Sequence, residues 1–434
     1  MKETPSSAKE WLLRALGMVL LVLGVAVGLS RVHAGGIGAG VDFAVLHVMG
    51  VGIARGANVY QQNDPGASRE SIAGVAYPPG AMGVVVYPPV TGFAMLPLAV
   101  LPFSIAKIIW FVLINATVVL GIRALVRAAA PALGPHAWMI ASGVVLLSAA
   151  IRWGMMLLQG APLVLGLLCF FVAALHDKRP GYALAIAVFV TAFKMTLALP
   201  FLGLLLLHRR FAAVAISGGT WLMLNVLGFV RMGPGALAAY QRSAAVFEAN
   251  DPSNINSPNP WTPVSLPRLD WVSLFYGVTA NLSLARMASL ACSIAVLLWL
   301  VREGFHTRLP LSLWDTTVFV APLVCLGSLC VYHHQYDLCL FFAPLLLAVF
   351  GSGILRQSAW ALALIAPLVF MILLLPIGTA ESVAESILGI RGVGLLKLTF
   401  PTALTLALAG SLVILRGRAG SPENQALPGV APAP

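Results

Sequence analysis

The sequence predicts an all-α polytopic membrane protein, and its composition is the first reason. Of the 434 residues, 59% are hydrophobic and only 9% are charged, and the mean hydropathy is +0.93. A soluble domain carries about a quarter charged residues. Apolar runs of about twenty residues, long enough to cross a bilayer as a helix, recur along the chain. We therefore expect about 10–12 transmembrane helices in one integral membrane domain over residues 1–418.

The net charge of +11 fits a membrane topology better than nucleic-acid binding. Lys and Arg lie in short loops between apolar runs, as the positive-inside rule expects of cytoplasmic loops. The chain has no basic stripe with interleaved aromatic residues, so we expect no nucleic-acid partner. This charge distribution predicts a multi-pass protein of the cell membrane with both termini in the cytoplasm.

The first apolar run, about Trp11 to Ser30, predicts a span that starts in the cytoplasm. A large extracytoplasmic segment, residues 31–103, is expected to follow it. Within that segment, Phe43 to Arg55 has mixed polarity and is expected to lie as a helix along the membrane interface. Residues 88–102 are apolar but short and rich in proline, which predicts a juxtamembrane helix rather than a full crossing.

The next apolar runs predict spans two to four at about residues 104–122, 137–151 and 160–175. The run from Tyr182 to Leu207 then has Lys194 at its middle and basic residues at both ends. We interpret it as two half-helices that form a re-entrant hairpin with Lys194 at the tip. The alternative is one long span with a buried lysine, which is costly unless the ammonium has a partner.

Further spans are predicted in the C-terminal half, separated by one long outer loop over residues 231–283. The predicted spans cover about residues 211–230, 284–301, 313–331, a run ending near 356, 359–375 and 394–415. Residues 419–434 are rich in Pro and Ala and are predicted to be a disordered tail. We find no inverted repeat of the kind that transporters show.

The unusual polar residues collect on the predicted outer side of the membrane, whereas the inner loops hold mostly plain positive charges. This asymmetry predicts a functional site at the outer surface. The set comprises Asp42, His47, Tyr87, Arg152, Gln159, Lys194, His333, His334, Asp337 and Arg391. The five cysteines lie in or beside apolar runs without a CxxC pair, so we expect neither a disulfide framework nor a metal site.

Asp42 is the first acid after the first span, close to the membrane surface. A carboxylate there, with cations nearby, suits an inverting glycosyl transfer. The carboxylate would take the proton of an acceptor hydroxyl while cations stabilise a departing phosphate. The alternative is that Asp42 only caps the helix that starts at Phe43.

The other candidates each have a functional and a structural interpretation. Lys194 would bind an anionic group, or it would snorkel from the end of a half-helix. His333 and His334 would bind a phosphate or a sugar, or they would belong to an aromatic belt. Adjacent side chains on a helix point apart, so this pair is a poor metal site. Three further candidates are expected to bind substrate, although loop, capping and turn roles remain open for them: Arg152, Gln159 and Tyr87.

The chain resembles glycosyltransferase family 87, which belongs to the GT-C superfamily of membrane enzymes. The resemblance rests on short motifs in order along most of the chain. They are Asp42-Phe43, Gly56 with Tyr60, Tyr87-Pro88-Pro89 followed by Pro97 and Pro102, Trp110, Gln159, Gly181, Ala192-Phe193-Lys194, Pro200, His208-Arg209-Arg210 and Tyr332 to Asp337. One departure concerns the family's frequent Gly-Gln-x-Asn, which stands here as Leu158-Gln159-Gly160-Ala161.

The resemblance implies a GT-C-like fold with an extracytoplasmic active site and Asp42 as the catalytic base. It also implies a polyprenyl-phosphate donor with a mannose-like or arabinose-like sugar, as in a cell-envelope mannosyltransferase. The acceptor would be a glycolipid, a glycan or a protein, and the donor is a substrate, so no cofactor is expected. A polytopic transporter, or a flippase for lipids or lipid-linked sugars, is the alternative. It would show paired broken helices in two related halves.

Overall fold

The protein is a bundle of α-helices with one small β-hairpin, and the computed structural model describes most of the chain. The described residues are 7–34, 40–63, 71–72, 75–77, 84–247, 249, 254, 256–262, 268–307, 311, 313–331, 334–350, 394–395, 397–399, 401–410 and 412. Four earlier predictions lie outside them: the role of His333, the place of Arg391 in the outer polar set, the tail 419–434, and the span expected at 359–375.

The helices in the described residues are numbered in chain order. They are α1 (Ser7–Ala34), α2 (Val41–Arg55), α3 (Pro89–Ala99), α4 (Phe103–Ala129), α5 (Pro135–Leu147), α6 (Ala149–Leu157), α7 (Ala161–His176), α8 (Pro180–Phe193), α9 (Leu199–Leu207), α10 (Phe211–Met232), α11 (Ala236–Phe247), α12 (Trp271–Thr279), α13 (Leu282–His306), α14 (Leu313–Cys330) and α15 (Phe342–Phe350). Short 3₁₀ helices cover Val59–Asn63, Met195–Leu197 and Gln335–Phe341, and residues 401–410 are also helical. Strands β1 (Ser71–Ile72) and β2 (Val75–Ala76) pair antiparallel.

Four of these helices are long and apolar enough to cross a membrane: α1, α4, α10 and α13. Their outward surfaces carry large apolar side chains, such as Leu222 on α10 and Met287 on α13, which are 59% and 69% exposed. Such surfaces suit lipid rather than water. Five shorter apolar helical stretches accompany them in the described part of the chain. The all-α polytopic class is confirmed, while the total of about 10–12 spans stays a prediction.

The span predicted at 137–151 is not one straight helix. Helices α5 and α6 meet at Ser148 with a bend of 64°, and together they are a fifth candidate span. Ser148 has an extended backbone, and its hydroxyl accepts a hydrogen bond from the Ile151 amide at 3.4 Å. A serine that caps a new helix in this way ends the previous one. The span predicted at 137–151 therefore contains a bend that its apolar pattern does not indicate, because one capping serine ends a helix within it.

The interruption predicted at Lys194 is confirmed. Helix α8 ends at Phe193, and a 3₁₀ turn separates it from α9. The chain also reverses direction there, as contacts with α7 show. Phe193 lies against Gly160 at the start of α7, whereas the Phe201 ring lies 5.1 Å from Phe171, further along α7. Helix α9 therefore runs back along α7, with Lys194 in the turn.

Helix α2 is buried, so its expected position along the interface was wrong. From Phe43 to Ile53 every residue is buried. Gly92 of α3 allows a close approach, because a Cβ atom at Gly92 would lie 2.5 Å from the Met49 carbonyl oxygen. Between Phe43 and Ile53 only His47 is polar, and its ring hydrogen-bonds the Tyr77 hydroxyl at 3.0 Å, so this stretch is apolar enough for the inside of a bundle. The short helix predicted within residues 88–102 is confirmed as α3.

A second close contact positions the polar site. Helices α4 and α7 touch backbone to backbone, since a Cβ atom at Gly121 would lie 2.2 Å from the Gly166 carbonyl oxygen. This contact brings Trp110 of α4 to the loop before α7, where its indole donates a 2.9 Å hydrogen bond to the Leu158 carbonyl. The start of α2 packs against the same loop, through a 3.0 Å hydrogen bond from the Gly40 amide to Met156.

Candidate active site

Asp42 lies in the first turn of α2. The start of this helix is positioned by the packing of Phe43 and by the backbone conformation of Gly40. The Phe43 ring lies between Phe103 and Trp110 of α4, with ring centroids 5.7 and 5.8 Å away. Gly40 precedes the helix with a left-handed φ of 80°. Gly40, and not Asp42, is the residue before the first helical turn, and it makes no side-chain cap. The capping role considered for Asp42 is therefore wrong, and its carboxylate is used elsewhere.

The Asp42 carboxylate accepts a 2.9 Å hydrogen bond from the Gln159 side-chain amide. Gln159 is buried in the loop between α6 and α7, and its own carbonyl oxygen accepts from the Gly160 amide at 2.6 Å. Leu158 enters this loop with a φ of 52°, a left-handed conformation that is uncommon for a branched residue. The loop thus holds the Gln159 amide in one orientation, and Gln159 in turn orients Asp42.

Tyr87 joins the same group from the segment before α3. Its side chain hydrogen-bonds Gln159 and interacts electrostatically with Asp42 and Lys194. Its backbone carbonyl accepts a 2.8 Å hydrogen bond from the Tyr60 hydroxyl. Burial raises the pKa of Tyr87 to about 12, so the phenol stays neutral and able to donate a hydrogen bond at physiological pH.

Lys194 forms a buried ion pair with Asp337, at 2.9 Å between Nζ and Oδ1. The exposed fractions of the two side chains are 9% and 3%. The other Asp337 oxygen accepts from the His334 amide at 3.2 Å, and the Lys194 ammonium lies 5.5 Å from the centre of the Tyr336 ring. Lys194 therefore has the partner that a lysine buried in an apolar bundle requires.

The two carboxylates of the site differ in their surroundings. Burial raises the pKa of Asp42 to about 6; the Lys194 ammonium lowers it, the Asp337 carboxylate raises it, and the Gln159 hydrogen bond lowers it. A carboxylate whose pKa lies near neutrality is ionised at physiological pH and still has useful basicity. Asp42 therefore has the properties of a general base, whereas Asp337 is neutralised by Lys194.

The loop before α12 covers the segment that carries Asp337. Arg268 forms a β-bridge with His334 and a 2.8 Å ion pair with Asp270. Asp270 also caps α12 by accepting from the Ser273 amide at 2.9 Å. His334 is buried under this loop. Part of the predicted outer loop 231–283 thus pairs with the segment that leads into Asp337.

The structure brings together four of the predicted site residues, namely Asp42, Tyr87, Gln159 and Lys194. His334 is adjacent through its backbone, and His333 lies outside the described residues. Arg152 lies on α6, partly buried, and its Nε has no hydrogen-bond partner among the described residues. Within those residues there is also no group of three His, Cys, Asp or Glu side chains that could hold a metal ion.

Asp337 was among the polar residues noted in the sequence but not among the predicted site residues. A signal for it existed, because a lysine in the middle of an apolar run requires a counter-ion. The chain has 15 acidic residues, and nine of them lie on the predicted outer side, so several could be that counter-ion. The sequence does not show which acid is the partner, since Lys194 and Asp337 are 143 residues apart.

Membrane-crossing helices around an enclosed carboxylate–amide–lysine cluster define a polytopic membrane protein with an internal polar site. The sequence model of glycosyltransferase family 87 matches residues 86–329, more than half of the chain. The chain belongs to this family and is a membrane glycosyltransferase. The matched segment contains Tyr87, Arg152, Gln159 and Lys194 but ends before Asp337 and begins after Asp42. No curated protein and no solved structure matches the chain.

Proposed function

We propose that the protein moves a mannose-like or arabinose-like sugar from a polyprenyl phosphate to a hydroxyl group of a glycolipid, glycan or protein. The transfer inverts the anomeric carbon, and Asp42 is its general base. The observation that carries this proposal is the hydrogen bond from the Gln159 amide to Asp42, next to a lysine–carboxylate pair. The amide orients the carboxylate without adding a full positive charge, so Asp42 stays basic enough to accept a proton.

The chemistry follows from these groups. Asp42 accepts the proton of the acceptor hydroxyl as that oxygen forms its bond to the anomeric carbon. The bond from the anomeric carbon to the phosphate oxygen breaks on the opposite side, and its electron pair leaves with the phosphate. The donor phosphodiester carries one negative charge and the released phosphate gains a second, so cations near the leaving group stabilise the transition state. The donor is consumed as a substrate, and the proposal includes no separate cofactor or metal.

The remaining predicted residues are assigned to substrate binding. One N–H of the Lys194 ammonium is used by Asp337, and the others are proposed to contact the donor phosphate. The neutral phenol of Tyr87 is proposed to bind a sugar hydroxyl. Arg152, whose Nε is unpaired among the described residues, and the histidines at 333 and 334 are proposed to contact the donor at the edge of the site.

The site is proposed to face the extracytoplasmic side of the cell membrane, with both termini in the cytoplasm. The support is the Lys and Arg bias of the loops. The structure is consistent with it, since Arg209 contacts the Phe305 carbonyl at the end of the bundle away from Asp42. Residues 1–418 are proposed to form the single membrane domain. The described residues contain two interrupted helix pairs, one at Ser148 and one at Lys194, and transporters also use interrupted helices. Membership of the glycosyltransferase family favours sugar transfer over transport.

The donor class is tested with the purified protein in lipid vesicles. Radiolabelled polyprenyl-phosphate mannose, arabinose and glucose are offered separately with a membrane lipid extract as acceptor, and nucleotide sugars serve as matched donors. We expect label to enter an acceptor from a polyprenyl-phosphate sugar and not from any nucleotide sugar. Transfer from a nucleotide sugar, or movement of the labelled donor across the bilayer without transfer, would overturn the proposal.

A further inference from the structure

We infer that Lys107 binds the phosphate of the lipid-linked donor where the site meets the lipid. This inference rests on the proposed function and deepens it, because it assigns a phosphate site to a residue outside the cluster described above. Lys107 lies near the start of α4, and sequence analysis did not select it, because a lysine near the end of a span usually snorkels to the interface.

Helical spacing places Lys107 on the site side of α4. Phe103, Lys107 and Trp110 are separated by four and three residues, so they share one face of the helix. Phe103 and Trp110 hold the ring of Phe43 on that face. Phe43 follows Asp42 directly in the chain. The Lys107 side chain therefore extends beside the start of the helix that carries the proposed base.

Gly40 locates the end of the Lys107 side chain. A Cβ atom at Gly40 would lie 3.2 Å from Lys107 Cε and 3.6 Å from its Nζ. The ammonium thus lies against the backbone two residues before Asp42. Gly40 supplies this space, and its φ of 80° is a conformation that glycine adopts without strain. Leu158, next to Gln159, also borders this space, since its Cδ1 is 3.4 Å from the same Cβ position.

The other side of α4 is apolar and exposed at the same level. Ile105, Ile108 and Val112 are 48%, 65% and 58% exposed, and they lie on a helix that is long and apolar enough to cross the membrane. Lys107 is partly buried between this apolar surface and the site. A ligand with a long hydrocarbon chain and a phosphate head can place its chain on the exposed face and its head at the ammonium. A polyprenyl phosphate has this construction.

The charges of the site favour a further cation in addition to the proposed contact from Arg152. The carboxylates of Asp42 and Asp337 and the ammonium of Lys194 together carry one net negative charge when Asp42 is ionised. The donor brings another negative charge, and its phosphate gains one more during transfer. A net negative cluster repels such a substrate, so binding needs a positive charge outside it. Lys107, whose side chain ends beside Gly40, is proposed to supply that charge.

Because the reaction inverts the anomeric carbon, its geometry also favours a cation that does not contact the carboxylate of the base. The attacking oxygen and the leaving phosphate lie on opposite sides of the anomeric carbon. A cation that contacted Asp42 directly would lower its basicity and lie on the wrong side of the reacting carbon. Lys107 lies against Gly40, two residues before Asp42 in the chain, and the inference assigns it to the leaving-group side.

The test measures binding of a short-chain prenyl phosphate to the purified protein in lipid vesicles, with the matching prenyl alcohol and inorganic phosphate as comparison ligands. Lys107→Gln removes the charge, Lys107→Arg keeps it, and Lys178→Gln removes an exposed lysine from the loop before α8. We expect Lys107→Gln to weaken prenyl phosphate binding about tenfold or more, the range of a charge-assisted contact. The Arg variant should bind within a few-fold, and the control and the alcohol should show no change.

The possible outcomes distinguish failure of the inference about Lys107 from failure of the proposed donor class. Unchanged prenyl phosphate binding in Lys107→Gln overturns the inference while leaving the proposed donor class intact. Equal binding of prenyl phosphate and prenyl alcohol by the native protein overturns the donor class and the inference together. Tight binding of inorganic phosphate that depends on Lys107 assigns the site to a free anion and also overturns the inference. If thermal unfolding shows that Lys107→Gln is misfolded, Lys107→Met, which suits a residue bordering lipid, takes its place with the same expectation.

Discussion

The two carboxylates of the site lie close enough to interact electrostatically, yet their partners differ. Asp42 accepts a hydrogen bond from the neutral amide of Gln159, whereas Asp337 is paired with the Lys194 ammonium. An amide orients a carboxylate and leaves most of its basicity, but a buried ammonium neutralises it. This difference indicates which acid can accept a proton. Asp42 is available as a proton acceptor, and Asp337 holds Lys194 in place. Pairs of acids in unlike environments commonly divide their roles in this way.

The largest effect on folding should come from breaking the ion pair. Replacing an isolated lysine in an apolar bundle by methionine would cost little stability. Here, Lys194→Met removes the ammonium that is paired with the buried carboxylate of Asp337. We expect destabilisation of about 3–5 kcal/mol, measured by unfolding in lipid. The double variant Lys194→Met/Asp337→Leu should recover most of the loss, because it removes both charges. Lys178→Met, at an exposed position, is the control.

An equal free energy of unfolding for the Lys194→Met single variant and the double variant would contradict this account of the ion pair. It would mean that the ammonium and the carboxylate do not depend on each other. The double variant should remain inactive even if its stability recovers, since Lys194 is proposed to contact the donor phosphate. Recovery of both stability and transfer would restrict Lys194 and Asp337 to a structural role.

The next largest effect should come from Gln159→Leu, which removes the hydrogen bond to Asp42. Loss of a hydrogen bond to a charged group predicts a transfer rate about ten- to a hundredfold lower. The Gln159 bond lowers the pKa of Asp42, so its removal should raise that pKa and move the acidic limb of the pH profile upward from about 6. Gln241→Leu, exposed on α11, should change neither quantity. A slower variant with an unmoved acidic limb would show that Gln159 does not act through Asp42.

A smaller effect is expected from Tyr87→Phe, which removes a neutral hydroxyl. The lost hydrogen bond predicts a KM for the donor about two- to tenfold higher, with little change in stability. Tyr182→Phe, at a tyrosine that is 67% exposed, is the matched control. A loss as large as that of Gln159→Leu would place Tyr87 in the proton transfer rather than in sugar binding.

Local sequence patterns made much of this fold predictable. The apolar runs predicted the helices, and the lysine within one of them predicted the turn between α8 and α9. The position of Asp42 after the first span singled it out, although the family match begins at residue 86 and does not include it. Tyr87, Gln159 and Lys194 were also selected, and the structure places them beside Asp42.

Two of the three failures depend on contacts between distant parts of the chain. The burial of α2 follows from its packing on α3, and the mixed polarity of its sequence does not indicate that packing. The pairing of Asp337 with Lys194 spans 143 residues and has no local pattern. The bend at Ser148 comes from a single hydroxyl in an apolar run. Hydropathy averaged over a window of residues does not detect one such hydroxyl.

The most direct test of the central claim is the single-turnover transfer rate of Asp42→Asn, with donor binding measured in parallel. Asparagine keeps the size of the side chain and a hydrogen-bonding oxygen for Gln159 but cannot accept the proton. We predict a folded, donor-binding protein whose rate is lower by about a hundred- to ten-thousandfold and which loses the acidic limb that the native enzyme shows near pH 6. Asp177→Asn, at an exposed acid after α7, should behave as native. Transfer by Asp42→Asn at more than about a tenth of the native rate would contradict the assignment of Asp42 as the base.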